Sequence, residues 1–221
     1  LANEIAYSFA DKIDDCGWNG DGTSTYGGIV GVRSAFTNLG GTIANIAGLY
    51  VGAGNLYSEL ILADFANVVA LLPEFAETPR VAWYMSKAFW GQVVLKLALL
   101  PGGSSGPGGN SVTDVVNGVT RSLLGYPVVI SQKMPKVEGN SQVCCVFGDL
   151  YQAADFGDRK GTAISLSGDA TIGSINLFET RQTAILGTQR FDINVHDVGN
   201  YHATAASRTP GPIVGLITAA S

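Results

Sequence analysis

The sequence is poor in charge, histidine and cysteine, and it has no run of basic residues. Asp, Glu, Lys and Arg make up 14% of its 221 residues, well below the roughly 25% usual for soluble domains. A surface with so little charge is expected where other copies of the same chain cover part of it. The formal net charge is −5, from 13 Lys and Arg against 18 Asp and Glu. Without a Lys/Arg cluster, a strong electrostatic grip on nucleic acid is not expected. A weakly acidic wall is compatible with holding DNA loosely and without sequence preference. Cys16, Cys144 and Cys145 are too few for a disulfide framework. As neighbours in a strand, Cys144 and Cys145 would point to opposite faces and could not pair. A reducing compartment, the cytoplasm, is the natural setting. No signal-peptide pattern is present, and the apolar stretch near Val93–Leu100 is interrupted by Lys96 and too short to span a bilayer.

Patterns that carry chemistry are also scarce. His196 and His202, the only two histidines, lie six residues apart and match no zinc spacing. Asp14, Asp15 and Asp21 lack the closing Glu of a calcium loop. Gly52-Ala53-Gly54 opens like a dinucleotide fingerprint, but Tyr57 stands at the third glycine position. Gly102-Gly103-Ser104-Ser105-Gly106 satisfies the nucleophile-elbow pattern without the strand–turn–helix context that strains the serine. Ser104 as the nucleophile of a hydrolase is therefore the weakest reading. The acid pairs Asp14/Asp15 and Glu74/Glu77 read as solvated helix ends. No catalytic, metal or cofactor site is expected.

What is present is a glycine-rich apolar chain of α+β character, with 29 glycines scattered among Val, Ile, Leu and Phe. Leu1, Ile5, Phe9, Ile13 and Cys16 form one stripe of an amphipathic helix that is expected to end at Gly17. That stripe begins at the first residue without a cap, which predicts an upstream continuation. Asn19-Gly20-Asp21-Gly22-Thr23 is a dense turn signal. Thr25–Val32 and Arg33–Thr37 read as short strands or irregular loop. A helix is expected over Asn55–Leu72, closed by Pro73, then a strand at Val81–Met85 and a helix over Lys87–Leu99. Pro101–Asn110 reads as a surface loop, and Gly102, Ser104, Gly106 and Gly109 within it as a candidate interface loop. Beyond Leu124 the pattern turns to β. Strands are expected at Tyr126–Ile130, Val143–Phe147, Ala163–Leu166 after a turn at Asp158–Gly161, Leu177–Val195 bent at Gly187, and Ile213–Thr218.

The order of these features resembles the major capsid proteins of tailed bacteriophages, with the Hong Kong 97-type fold. There a long spine helix runs into an N-G-D-G-T turn, as Ile5–Asp15 runs into Asn19–Thr23. Gly27-Gly28-Ile29 is similar to the family's short "GI" segment and Trp83-Tyr84-Met85 to its W-x-M strand. Leu123-Leu124-Gly125-Tyr126-Pro127-Val128 matches L-x-G-x-P-V, and Ser131–Pro135 matches S-x-x-M-P. Phe147-Gly148-Asp149 matches F-G-D, and Asp158-Arg159 the D-R that follows.

The resemblance covers about Ile5 to Thr218 and corresponds to the C-terminal part of a family member. It implies a peripheral domain from 1–23 and 161–200, and an axial domain from 24–160 and 201–221. The N-terminal arm and the extended loop of the family would be lacking. It implies a shell subunit that assembles as homo-hexamers and homo-pentamers in the host bacterial cytoplasm and ends in the virion. Its partners would be itself, portal and scaffolding or protease proteins, and packaged DNA bound non-specifically, with no membrane. Some members join a Lys to an Asn with help from a Glu. Aligned on Arg190, this chain has Arg181 and Thr188 at the Asn and Glu positions, so that crosslink is not expected. The rival readings are an encapsulin-like compartment shell, a hydrolase using Ser104, and a generic α+β binding domain.

Overall fold

Helix α1, Ala2–Asn19, follows from the apolar stripe at its expected spacing. Ile5, Phe9 and Ile13 are half-buried, Cys16 is buried, and Asn3, Glu4 and Tyr7 between them face solvent. The helix runs past Gly17 to Asn19. The computed structural model describes residues 2–99 and 121–220. The loop with Gly102, Ser104, Gly106 and Gly109 lies outside the described residues. After α1 come α2 (Val32–Asn38), β1 (Leu49–Val51), α3 (Leu62–Leu71) and β2 (Ala82–Met85). Next are α4 (Lys87–Phe89), a π turn at Trp90–Val94, α5 (Leu95–Leu99), β3 (Ser122–Leu123), β4 (Tyr126–Ile130) and β5 (Val143–Gly148). The remainder is α6 (Leu150–Ala153), β6 (Ala154–Ser167), β7 (Thr171–Ile172), β8 (Ile175–Asn176), α7 (Leu177–Thr180), β9 (Ala184–Val195) and β10 (Ile213–Ile217).

Six strands form the central sheet in the order β1-β10-β5-β2-β4-β3. β1 runs parallel to β10 and β2 parallel to β4, while β5 is antiparallel to both β10 and β2. Alternate residues feed two cores on opposite faces. Trp83, Met85, Phe147, Val214 and Leu216 join Phe65, Val68 and Phe89 on the first face. Val143, Val146, Ile213 and Ile217 join Trp18, Val32 and Phe36 on the second. Every residue of β5 and β10 is buried. Such strands read as continuous apolar runs, which is why the sequence announced both.

Cys144 and Cys145 do not point apart as a regular strand would require. Leu216 pairs with Cys145 but Ile217 pairs with Val143, so Cys144 is the extra residue of a bulge. Both thiols consequently enter the first core. Cys144 Sγ donates to the Leu216 carbonyl at 3.3 Å, and burial pushes the Cys145 thiol up. All three cysteines are free.

Two expected elements come out differently near the core, and one is new. Val32–Asn38 is a helix rather than strand or loop, burying Val32, Ala35 and Phe36 at helical spacing. Its seven residues are too short a window for periodicity to declare itself. The helix expected over Asn55–Leu72 is split into a 3-10 turn at Tyr57–Glu59 and α3. Glu59 accepts from the Leu56 N–H at 3.1 Å and Asp64 from the Ile61 N–H at 2.9 Å. Two acids each capping a backbone donor three residues back produce two helix starts. β1 was not anticipated at all.

Strands β6 and β9 leave the central sheet as a separate two-stranded ribbon. Asp158–Gly161 is not a turn but the middle of the 14-residue β6. Asp158 faces Phe191, Lys160 faces Arg190 and Ala163 faces Thr188, so the register shifts twice within this stretch. Bulges and turns draw on the same Gly, Asp and polar residues, and composition does not separate them. Leu177–Val195 is likewise not one strand. Asn176 caps α7 by accepting the Phe178 N–H at 3.1 Å, and Arg181 closes it in the left-handed region at φ 54°. Gly187 marks the crossing of α1 over the ribbon: an added Cβ would lie 3.0 Å from the Phe9 ring.

Candidate functional site

The motif residues do not converge on one pocket. They build three joints. The first follows α1, where the Asn19 amide donates to Asp15 Oδ1 at 2.9 Å and to the Lys133 carbonyl at 3.0 Å. A Cβ on Gly20 would stand 2.6 Å from the carbonyls of Cys16 and Ile29, so only glycine fits. The Gly31 N–H donates to the Gly20 carbonyl at 2.8 Å, which closes the loop. Gly22 takes φ +80°, and its N–H donates to the Ile29 carbonyl at 2.9 Å. Asp21 Oδ1 accepts from both the N–H and the hydroxyl of Thr23, and these bonds hold its carboxyl below the usual range.

The second joint is the β3–β4 hairpin. Leu123 pairs with Tyr126 across Leu124 and Gly125, both at positive φ (53° and 86°). Two such residues suit the right-handed twist of a two-residue hairpin. Pro127 sits opposite Ser122, and Val128 joins the central sheet beside Trp83. The third joint is Phe147-Gly148-Asp149. Phe147 is fully buried, with ring centroids 4.4 Å from Trp83 and 4.9 Å from Tyr126. Gly148, at φ +137°, leaves no room for a Cβ beside the Pro212 carbonyl. Buried Asp149 caps α6 through the Tyr151 N–H at 3.0 Å and accepts the Thr78 hydroxyl at 2.6 Å.

A clamp that the motifs did not disclose fixes α1 to the sheet. Asp14 accepts from Trp18 Nε1 at 3.0 Å and from the Ser131 hydroxyl at 2.7 Å. Lys133 pairs with Asp11 at 2.7 Å, a contact that raises the lysine pKa. Asp14 had read as a solvated helix end; only its distant partner at Ser131 reveals the role.

Outside the joints, the far end of the ribbon exposes several apolar side chains on both of its faces. Ile164, Leu166, Ile172, Ile175, Phe178 and Leu186 are all exposed, Leu166 by 70% and Phe178 by 73%. Exposed apolar groups gathered in one region mark a contact with another molecule. Among the described residues, no group of three His, Cys, Asp or Glu side chains could hold a metal ion. His196 lies 3.7 Å from the Asp155 carboxylate, and the His202 carbonyl accepts from Arg208. No helix among the described residues is long and apolar enough to cross a membrane.

Comparison with protein families gives a match to the phage capsid family over residues 1–199. The chain belongs to the phage capsid family. No curated protein matches it. Solved structures show the same fold at low identity. The capsid of a native GTA particle is 18% identical with a TM-score of 0.67, over 100% of this chain and 65% of that one. A chain of Mycobacterium phage Bobi is 17% identical with a TM-score of 0.59, over 96% of this chain and 61% of its own. A chain of Microbacterium phage Oxtober96 is 15% identical with a TM-score of 0.61, over 96% and 62%. The chain thus spans about three-fifths of the length of these structures. In this capsid family member, the three joints are the parts that the sequence motifs mark.

Proposed function

We propose that the chain is a structural subunit of an icosahedral phage or prophage shell, not an enzyme. In this reading it assembles as hexamers and pentamers around double-stranded DNA and resides in the virion after assembly in the host bacterial cytoplasm. The family match over residues 1–199 is the observation that carries it. The low charge content and the exposed apolar ribbon end support it, since such surfaces are stabilised by burial against neighbours. Residues 1–23 and 161–200 form the peripheral domain, and 24–160 and 201–221 the axial domain. Portal, scaffolding or protease proteins are its further partners.

Electron microscopy and mass photometry of the natural gene product test this. Closed shells or capsomer rings are expected. A monomer at all concentrations overturns the reading.

A further inference from the structure

A cleft of about 770 Å³ opens between α1, the 25–29 loop and the ribbon, a size that accepts a side-chain cluster. Tyr26 and Phe191 line it, with Lys12, Arg159 and Arg190 around them. Lys160 faces Arg190 directly across the ribbon, an unfavourable like-charge pairing. Asp158 and Asp192 also line the cleft, but among the described residues neither Arg159, Lys160 nor Arg190 makes an ion pair. Lys12 lies over the Tyr26 ring at 4.6 Å and only 4.0 Å from Asp15. In a chain of net charge −5, this cleft sets three cations against two carboxylates beside two aromatic rings.

A complementary shape exists elsewhere on the same chain. Glu74-Phe75-Ala76-Glu77 is a 3-10 turn between α3 and β2, anchored by buried Ala76. Phe75 is 69% exposed, with an exposed carboxylate on either side. Glu77 accepts the Tyr126 hydroxyl at 2.9 Å, and nearby Arg80 is occupied over the Tyr151 ring. The turn belongs to the α3 face of the central sheet, whereas the cleft hangs from α1 on the other face. One chain cannot close this contact on itself.

We propose that the Glu74–Glu77 knob of one copy seats in the α1–ribbon cleft of the next. Phe75 enters between Tyr26 and Phe191, and the two carboxylates meet Arg159, Arg190 and Lys12. Such a head-to-tail contact, with different patches on its two sides, closes into a ring when the rotation between copies divides the full circle. The inference rests on the shell reading and specifies one contact within it.

Charge reversal tests it on the natural gene product, with assembly followed by mass photometry. Arg159→Glu with Arg190→Glu, and separately Glu74→Lys with Glu77→Lys, should each weaken ring formation about tenfold or more. All four changes in one chain should restore it to within about threefold. Phe75→Ala, which trims a side chain 69% exposed, should weaken it about tenfold while the melting temperature holds. Assembly at wild-type strength in the single-sided variants, or no restoration in the fourfold variant, overturns the contact and leaves the shell reading standing. Loss of duplex-DNA binding with intact assembly in the Arg159/Arg190 variant also overturns it, assigning those cations to DNA. A wild-type protein that never assembles overturns both.

Discussion

The central sheet and the ribbon spend the same kinds of residue in opposite ways. In β5 and β10 every side chain is buried between two cores. In β6 only Ala154 and Ala163 are even half-buried. Valine, isoleucine, leucine and phenylalanine occur in both, yet the sheet buries them within one chain, while the far end of the ribbon leaves Ile164, Leu166 and Leu186 exposed. The sheet is stabilised by its own packing; under the proposed function, the exposed end of the ribbon is covered by a neighbour.

Substitutions can break that contrast, and the largest effect belongs to the sheet. Phe147→Ala should cost about 3–5 kcal/mol of folding stability, by urea titration, because it opens a cavity beside Trp83 and Tyr126. Gly20→Ala should cost about 1–3 kcal/mol, since the two carbonyls at 2.6 Å are backbone and move only with the loop. Asp149→Ala should cost about 2 kcal/mol by removing the α6 cap and leaving the Thr78 hydroxyl without its acceptor. Leu166→Asp in the ribbon should change monomer stability by no more than about 0.5 kcal/mol. A loss comparable to Phe147→Ala would erase the distinction between the regions.

The smallest effect is at Asp21, which is fully exposed. Its folded pKa lies below the ordinary 3.8 because Thr23 donates two hydrogen bonds to the carboxylate. The stabilisation is therefore present above pH 3.8 and is lost as pH falls through the lowered folded value. Asp21→Asn should flatten that acid limb slightly in a melting-temperature profile and leave neutral-pH assembly unchanged.

The sheet was largely legible because buried strands are uninterrupted apolar runs and α1 is long enough to show its period. The positive-φ Gly22 also fell where a turn signal stood, and Gly125 within a segment that the family resemblance marked. What escaped was set by distance or by short windows. The seven residues of α2 show too little periodicity, and the Cys144 bulge exists only because β10 slips at Leu216. Asp14 and Lys133 gain their roles from partners more than a hundred residues away in sequence. The exposed end of the ribbon was invisible because strand patterns report which residues alternate, not whether anything covers them.

Hydrogen exchange of the free and the assembled protein tests the central claim most directly. Amides of Val143–Gly148 and Ile213–Ile217 should exchange slowly in both states, while those of residues 164–186 should exchange fast when free and slow on assembly. Equal exchange of residues 164–186 in both states would contradict the account, because the ribbon would then have no neighbour to bury it.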